Sequence, residues 1–358
     1  MTWEEARAQF PVLERLAYLN AGTNGPLARA TVEAMNAQAQ EDLEAGRGGP
    51  SYFERAIGLR DRVREKLAAA VGVEPEHLSL ASSTTNGCNI VLTGLGLGPG
   101  DEVLTTDGEH FGLLGALAAS PATVRMVEVR ELPPEESLEV LLREVTPKTR
   151  LIALSDICWQ TGNRFPAAEL REQTGLPVLV DGAQSAGAIE VDATAFDYFA
   201  FSCQKWLCGP DAMGGLAVRD PESLEITAPS YLSQQAYEPT GTFTPREGAA
   251  RYDGNWTPVP SLAGLEAALD LPPEGRFERA AAMAARCREA LADRFDVLTA
   301  PDQGTLVSFR VEGDTAELVR GLYDRGVVVR DMPGLGWLRV SCGWWTNEDD
   351  LDRLLAAL

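Results

Sequence analysis

PVLVDGAQSAG, residues 177–187, followed by DYFAFSCQKWLCGP, residues 197–210, is the stretch that decides the fold. Pro177 to Val180 is an apolar run ending on Asp181, and Tyr198 to Phe201 is a second one that delivers Lys205 a few residues later. Short apolar runs bounded by turn residues read as buried strands. Among 31 basic residues Lys205 is one of only three lysines, the rest being arginines. Open α/β sheets bind ligands outside the carboxyl ends of their strands, so an acid and an amine delivered there converge on one site. Such a pair suits pyridoxal 5'-phosphate: the amine forms a Schiff base with the aldehyde, and the acid pairs with the pyridinium nitrogen.

Outward from this stretch, strand-like segments alternate with helical patterns from about residue 75 to 220. The expected strands are Leu78–Ala81, Glu102–Thr106, Val124–Val129, Leu151–Ser155, Val178–Asp181, Tyr198–Ser202 and Gly215–Val218. Helical patterns such as Thr84–Leu95 and Leu138–Val145 lie between them. Alternation of this kind predicts an α/β fold with a mostly parallel seven-stranded sheet and helices on both faces. Two helical stretches, Leu27–Ala45 and Tyr52–Val71, precede it, separated by GRGGP at 46–50. Residues 228–260 are rich in Gly, Pro, Thr and Tyr, and a loop that long is expected to be functional or disordered. Beyond it, helices are expected at 261–271 and 277–295, a strand–helix–strand pattern at 305–341, and a last helix near 347–357. The expected organisation is an N-terminal segment (1–15) packing on a small domain, a large cofactor-binding domain (16–260) and a smaller C-terminal α/β domain (261–358).

At 358 residues with a formal charge of −22, the acidic surface repels phosphate backbones and argues against nucleic-acid binding. No apolar run approaches the roughly 20 residues that span a bilayer. The opening MTWEEARAQFPVLERL is acidic and amphipathic, unlike a signal or transit peptide, so a cytoplasmic location is expected. Cys88, Cys158, Cys203, Cys208, Cys287 and Cys342 show no CxxC pair, and His77 and His110 are the only histidines. Reduced thiols and no metal site are therefore expected.

Several other segments reach the ligand edge of the sheet. In LSLASSTTNGCNIVL (78–92) hydroxyls sit between a strand end and a helix start, where free backbone N–H groups bind anions. Thr84 and Thr85 are candidates to hold a cofactor phosphate, although plain N-capping accounts for the same pattern. GLGLGPG (94–100) follows a helix and precedes a strand, the wrong order for a dinucleotide loop. His110, after the strand VLTT, is placed to stack on a planar cofactor or to move a proton, or simply to cap its helix. Gln184 and Gln160 could reach a ring hydroxyl, with Trp159 shielding the site. Ser202 and Gln204 flank Lys205 as further phosphate donors. Arg339, in GWLRVSCGWW, suits the carboxylate of an amino acid.

In chain order these motifs resemble the class V aminotransferase family of fold type I pyridoxal phosphate enzymes. They are YLNAGTNGPL (18–27), SSTTNGCNIV (82–91), GEHFG (108–112), WQTGNRFP (159–166), VDGAQSAG (180–187), SCQKWLCGP (202–210), GGLAV (214–218) and LRVSCGWW (338–345). TTNGCNIVL, EHFG and the tryptophan of CWQTG look closest to the cysteine/cystine carbon–sulfur lyase branch. The resemblance implies that Lys205 binds the cofactor aldehyde, Asp181 the pyridine nitrogen, His110 the ring face and Gln184 the ring hydroxyl. It assigns Thr84, Thr85, Ser202 and Gln204 to the phosphate and Arg339 to the substrate carboxylate, with Asn20 at the substrate entrance. It also implies a homodimer, in which RYDGNWTPV (251–259) brings Asn255, Trp256 or Thr257 to the neighbouring subunit's phosphate.

This sequence departs from the family pattern at Gln204, where relatives carry histidine, and at Trp159, where desulfurases use asparagine. Trp256 falls where a phosphate-binding threonine is common. VVVRDMPGLGW (327–337) also lacks the nucleophilic cysteine that desulfurases place shortly before the carboxylate-binding arginine. The resemblance thus implies a lyase performing α,β-elimination on a sulfur-containing L-amino acid such as cysteine, cystine or a cysteine-conjugate sulfoxide. Its rivals are an epimerase like that of isopenicillin N or an aminotransferase, and, from another class, a non-catalytic binding module on the same fold.

Overall fold

The computed structural model describes residues 1–254 and 256–358. Its large sheet has seven strands: β1 (Leu78–Ala81), β2 (Glu102–Thr106), β3 (Thr123–Val127), β4 (Thr149–Ser155), β5 (Val178–Asp181), β6 (Tyr198–Ser202) and β7 (Gly214–Val218). They lie in the order β1-β7-β6-β5-β4-β2-β3. All neighbours are parallel except β7, which runs antiparallel to both β1 and β6. This is the mostly parallel sheet that the alternating pattern predicts.

Every residue of β5, β6 and β7 is buried, as expected where helices cover both faces. Side chains alternate between two cores, as the pleat dictates. Along β4, Ile152 and Leu154 join Leu59, Val63, Leu67 and Leu170 on one face. Leu151 and Ala153 join Val91, Leu113 and Leu117 on the other. Helix Val259–Leu269 contributes Val259, Leu262 and Leu265 to the first core, beside Tyr52, Ala56 and Leu59 of helix Pro50–Ala70.

A second sheet, β8 (Leu306–Arg310), β9 (Arg330–Met332) and β10 (Trp337–Ser341), is antiparallel with β10 at its centre. It packs with helices Arg276–Ala292 and Glu348–Ala357 around Phe309, Leu338 and Leu354. Ala17–Tyr18 pairs in parallel with Val327–Val328. The N-terminal helix Trp3–Arg7 is tied to the same body, with Trp3 Nε1 donating to Trp344 O and Arg7 pairing with Asp350 at 3.0 Å. No described helix is long and apolar enough to cross a membrane.

Two segments differ from the sequence pattern. β3 ends at Val127 rather than 129, because the Asp107 carboxylate accepts the Val129 and Arg130 N–H groups and draws the chain out of the ladder. The aperiodic 228–260 stretch holds a hairpin, Gln234–Tyr237 with Phe243–Pro245, and a 3₁₀ turn at Gly248–Tyr252. Its alternation is unreadable because the hairpin projects with most of its side chains exposed, so no face demands apolar residues.

The 3₁₀ turn is followed by Asp253, which is fully buried and receives Arg60 at 2.9 Å and Arg64 at 2.6 Å. It also accepts from Leu80 N and Ser79 Oγ, anchoring residues 248–254 to β1. Asp253→Ala should leave two buried cations uncompensated and cost about 3–5 kcal/mol. The expected readout is a clearly lowered thermal midpoint, and an unchanged one contradicts this assignment.

Candidate active site

The carboxyl ends of β1, β2, β4, β5 and β6 open onto a pocket of about 240 Å³. Its walls include Thr84, Thr85, His110, Trp159, Asp181, Gln184, Ser202, Gln204 and Lys205 from the sequence reading, together with Thr23 and Arg330. Thr84 to Lys205, about 120 positions of sequence, are brought together because each ends or follows a strand at the same sheet edge, while Thr23 comes from the N-terminal segment and Arg330 from the second sheet.

The register of β5 and β6 places Asp181 opposite Ala200, two residues before the turn that carries Lys205. That turn is held by Cys203 N donating to Met213 O, Gly209 N to Cys203 O and Cys208 N to Lys205 O. From the N-terminal side, Gly25 N donates to Gln204 O at 2.7 Å. A Cβ on Gly25 would stand 2.0 Å from Lys205 O, so only glycine permits this approach.

Burial lowers the Lys205 amine to about 8; Asp181 opposes this shift, whereas Arg339 and Arg330 reinforce it. Burial conversely raises the Asp181 carboxyl, and the Lys205 charge pulls it back down. Asp181 Oδ1 accepts from Ala183 N at 3.0 Å, and the carboxylate has no other hydrogen bond among the described residues. An oxygen is thus left for a ligand proton.

Ser83 caps helix Thr84–Gly94 by accepting from Asn86 N, while Thr84 N and Oγ1 both meet Ser202 Oγ, at 3.0 and 2.7 Å. This helix start presents N–H groups and hydroxyls to the pocket, as an anion requires. His110 caps helix Phe111–Ala119, its Nδ1 accepting from Gly112 N at 3.1 Å. His110 is partly exposed to solvent, yet the protein packed around its ring and the charges of Lys205, Arg330 and Arg339 lower its pKa to about 4. His110 is therefore neutral near pH 7, with the hydrogen on Nε2. A Cβ on Gly112 would fall 2.6 Å from Thr85 Oγ1; the bare backbone leaves room between these walls. The pocket therefore fits pyridoxal phosphate: an acid with a free oxygen, a nucleophilic amine, a flat neutral ring and an anion cradle.

Gln184 lines the pocket with its amide already engaged, Nε2 donating to Gly22 O and Oε1 accepting from Trp206 Nε1, both at 3.0 Å. One Nε2 hydrogen remains for a ligand. Arg339 is fully buried behind the wall rather than in it, with Nη1 on Trp159 O at 2.7 Å and Nη2 near Thr23 Oγ1 at 3.5 Å. Asn20 likewise stands back from the pocket and accepts from Thr23 Oγ1 at 2.8 Å. Trp256 and Thr257 lie elsewhere on this chain: Trp256 packs on Tyr52 and Phe53, and Thr257 accepts from Arg60 at 3.2 Å. Asn255 lies outside the described residues.

Sequence reasoning passed over Arg330, whose guanidinium lines the pocket, donates to Thr23 Oγ1 at 3.1 Å and sits over the Trp159 ring at 5.4 Å. In the ladder Arg330 stands opposite Arg339, a like-charge pairing that is unfavourable without an anion. Neither arginine has a carboxylate partner among the described residues, and burial with the neighbouring Arg330 lowers Arg339 to about 9. The signal in the sequence is two arginines facing each other across one hairpin, visible only once the register is known.

A family model described as aminotransferase class-V matches residues 17–353. Isopenicillin N epimerase of Streptomyces clavuligerus is 30% identical over 99% of this chain and 97% of its own length. A probable cysteine desulfurase of Pseudomonas aeruginosa is 31% identical over 98% of this chain and 96% of its own. Among solved structures, the cystine C–S lyase C-DES in complex with its reaction product cysteine persulfide superposes with a TM-score of 0.91. It is 31% identical, covering 97% of this chain and 98% of that one.

Because an amine attacks only when unprotonated, capture of pyridoxal phosphate by the apoprotein should accelerate with rising pH and level off above about 8. Stopped-flow absorbance between about pH 6 and 9 checks this; a rate that is flat or falls over that range contradicts the lowered amine.

Proposed function

The chain belongs to the class V aminotransferase family, a family of pyridoxal phosphate enzymes, and on that premise we propose that it is a carbon–sulfur lyase. Its substrate would be a sulfur-containing L-amino acid, cystine, cysteine or a cysteine-conjugate sulfoxide, cleaved by α,β-elimination. The observation that carries this reading is Arg330, which lines the pocket without a carboxylate partner among the described residues and is backed by the buried Arg339, beside a lysine whose amine is lowered to about 8. It matches an amino acid held by its carboxylate with its α-proton offered to a base.

The cofactor, when bound, supplies the electron sink for the carbanion formed at Cα. Arg330 holds the carboxylate, with the buried Arg339 adding positive charge behind it, and this fixes which Cα bond faces Lys205. Lys205 Nζ takes the α-proton, and its lowered pKa keeps a useful fraction of the amine neutral near pH 7. With the cofactor bound, Asp181 would retain a proton on its ring nitrogen, and Thr84, Thr85, Ser202 and Gln204 would hold its phosphate. The Cα–H and Cβ–S bonds break, sulfur leaves with the bonding pair, and one water is consumed in forming pyruvate and ammonia.

Desulfurase-type persulfide transfer needs an accessible thiol, and all six cysteines of this chain are buried. The similarity to isopenicillin N epimerase favours a second reading, racemisation at Cα. That chemistry needs a further acid besides Lys205. The titratable groups lining the pocket are Lys205, Asp181, Arg330 and His110, and a His110 neutral below physiological pH is a poor proton donor. The lyase reading also takes the protein to act in the cytoplasm as a homodimer, with Trp256 and Thr257 directed to the partner's phosphate.

Incubation with L-cystine should release pyruvate and a persulfide product without accumulating the D-isomer; racemised substrate without pyruvate would select the epimerase. Arg330→Ala should raise KM about ten- to hundredfold, since it removes charged hydrogen bonds to the carboxylate. An unchanged KM would remove Arg330 from the substrate site.

A further inference from the structure

Glu109 is a buried carboxyl that the elimination chemistry does not use. It is 3% exposed and has no cationic partner among the described residues. Isolated buried carboxyls are costly, and this one is held by three donors. Thr106 Oγ1, at the end of β2, donates to Oε1 at 2.6 Å. Ser155 N and Oγ, at the end of β4, donate to Oε2 at 2.9 and 2.6 Å.

Ser155 is the register partner of Asp181 on the neighbouring strand β5. Ser155 thus stands about one strand spacing, roughly 5 Å, from the strand that carries Asp181, and Glu109 lies one hydrogen bond beyond Ser155. The chain beside it is equally fixed: Gly108 N donates to Thr106 Oγ1 at 3.1 Å, and Cys158 Sγ donates to Gly108 O at 3.6 Å. The next residue is His110, so the same grip sets where that ring stands. The titratable groups facing Glu109 are Asp181 on β5, Cys88 on helix Thr84–Gly94 and Cys158 in the loop after β4.

We infer that Glu109 is a positioning residue: a second acid behind Asp181 whose charge, added through that residue, strengthens the hold on protons at the cofactor. The inference rests on the reading of the pocket as a pyridoxal phosphate site. Burial raises the Glu109 carboxyl to about 7, the donors from Ser155 and Thr106 oppose this, and Asp181 adds to it. Above that pH the group is an anion and its field favours the protonated cofactor; below it the group is neutral and the field is gone.

The test is a pH titration of the bound cofactor's absorbance in wild type, Glu109→Gln and Ser155→Ala. Glu109→Gln keeps the volume and an acceptor oxygen but cannot ionise. Its midpoint should fall about one pH unit below wild type, the size expected of a unit charge removed at this separation. Ser155→Ala withdraws one donor from the carboxylate, makes the anion less favourable and should lower the midpoint by a smaller amount. Coincident midpoints in wild type and Glu109→Gln overturn the inference, because a purely structural carboxyl would leave the titration in place. If Glu109→Gln does not retain cofactor, an unmoved midpoint in Ser155→Ala overturns it instead. A wild-type protein that shows no cofactor absorbance refutes the reading of the pocket, a separate failure.

Discussion

The attraction between Asp181 and Lys205 across the ends of two parallel strands is the constraint on which the site depends. Each group alone is unfavourable where it stands: burial raises the acid and lowers the amine, and each partly offsets the other. A residual shift in both is what chemistry requires. A fully compensated ion pair would leave the lysine protonated and unreactive, whereas an amine lowered to about 8 is within reach of its nucleophilic form. Strand register maintains this balance, since slipping β6 by one residue would turn its side chains to the opposite core.

The pocket also inverts the charge of the molecule. A chain with a formal charge of −22 gathers Arg330, Arg339 and Lys205 around one cleft, and the acids nearby are the buried Asp181 and Glu109. The arginines depend on long-range packing: Arg339 is fixed by Trp159 O from the loop after β4 and by Thr23 from the N-terminal segment. The position of Arg339 is thereby tied to the seating of the small sheet on the large one. The chain Trp206–Gln184–Gly22 links that seating back to the turn of Lys205.

The centre of the sheet was legible in the sequence because strands such as β5 and β6 are buried on both faces and read as apolar runs, whereas the edge strand β3 is only partly buried. The pocket residues that immediately follow those strands were legible for the same reason: Thr84, His110, Asp181 and Lys205 inherit their place from the strand before them. Arg330 was not, because its position is set by pairing with β10, and pairing leaves no mark in a single short segment. The pocket position of Gln184 was legible, but its partners Gly22 and Trp206 were not, since they lie 162 and 22 residues away in sequence. The 234–245 hairpin was hidden because exposed strands need no apolar alternation.

The central claim is that Lys205 is the amine that captures the cofactor. Borohydride reduction of the purified holoenzyme, followed by proteolysis and mass mapping, tests it directly. The account predicts a pyridoxyl group on the peptide containing Lys205 and none on the peptides containing Lys66 or Lys148. A label on either of those lysines, or no label on any peptide, would contradict it.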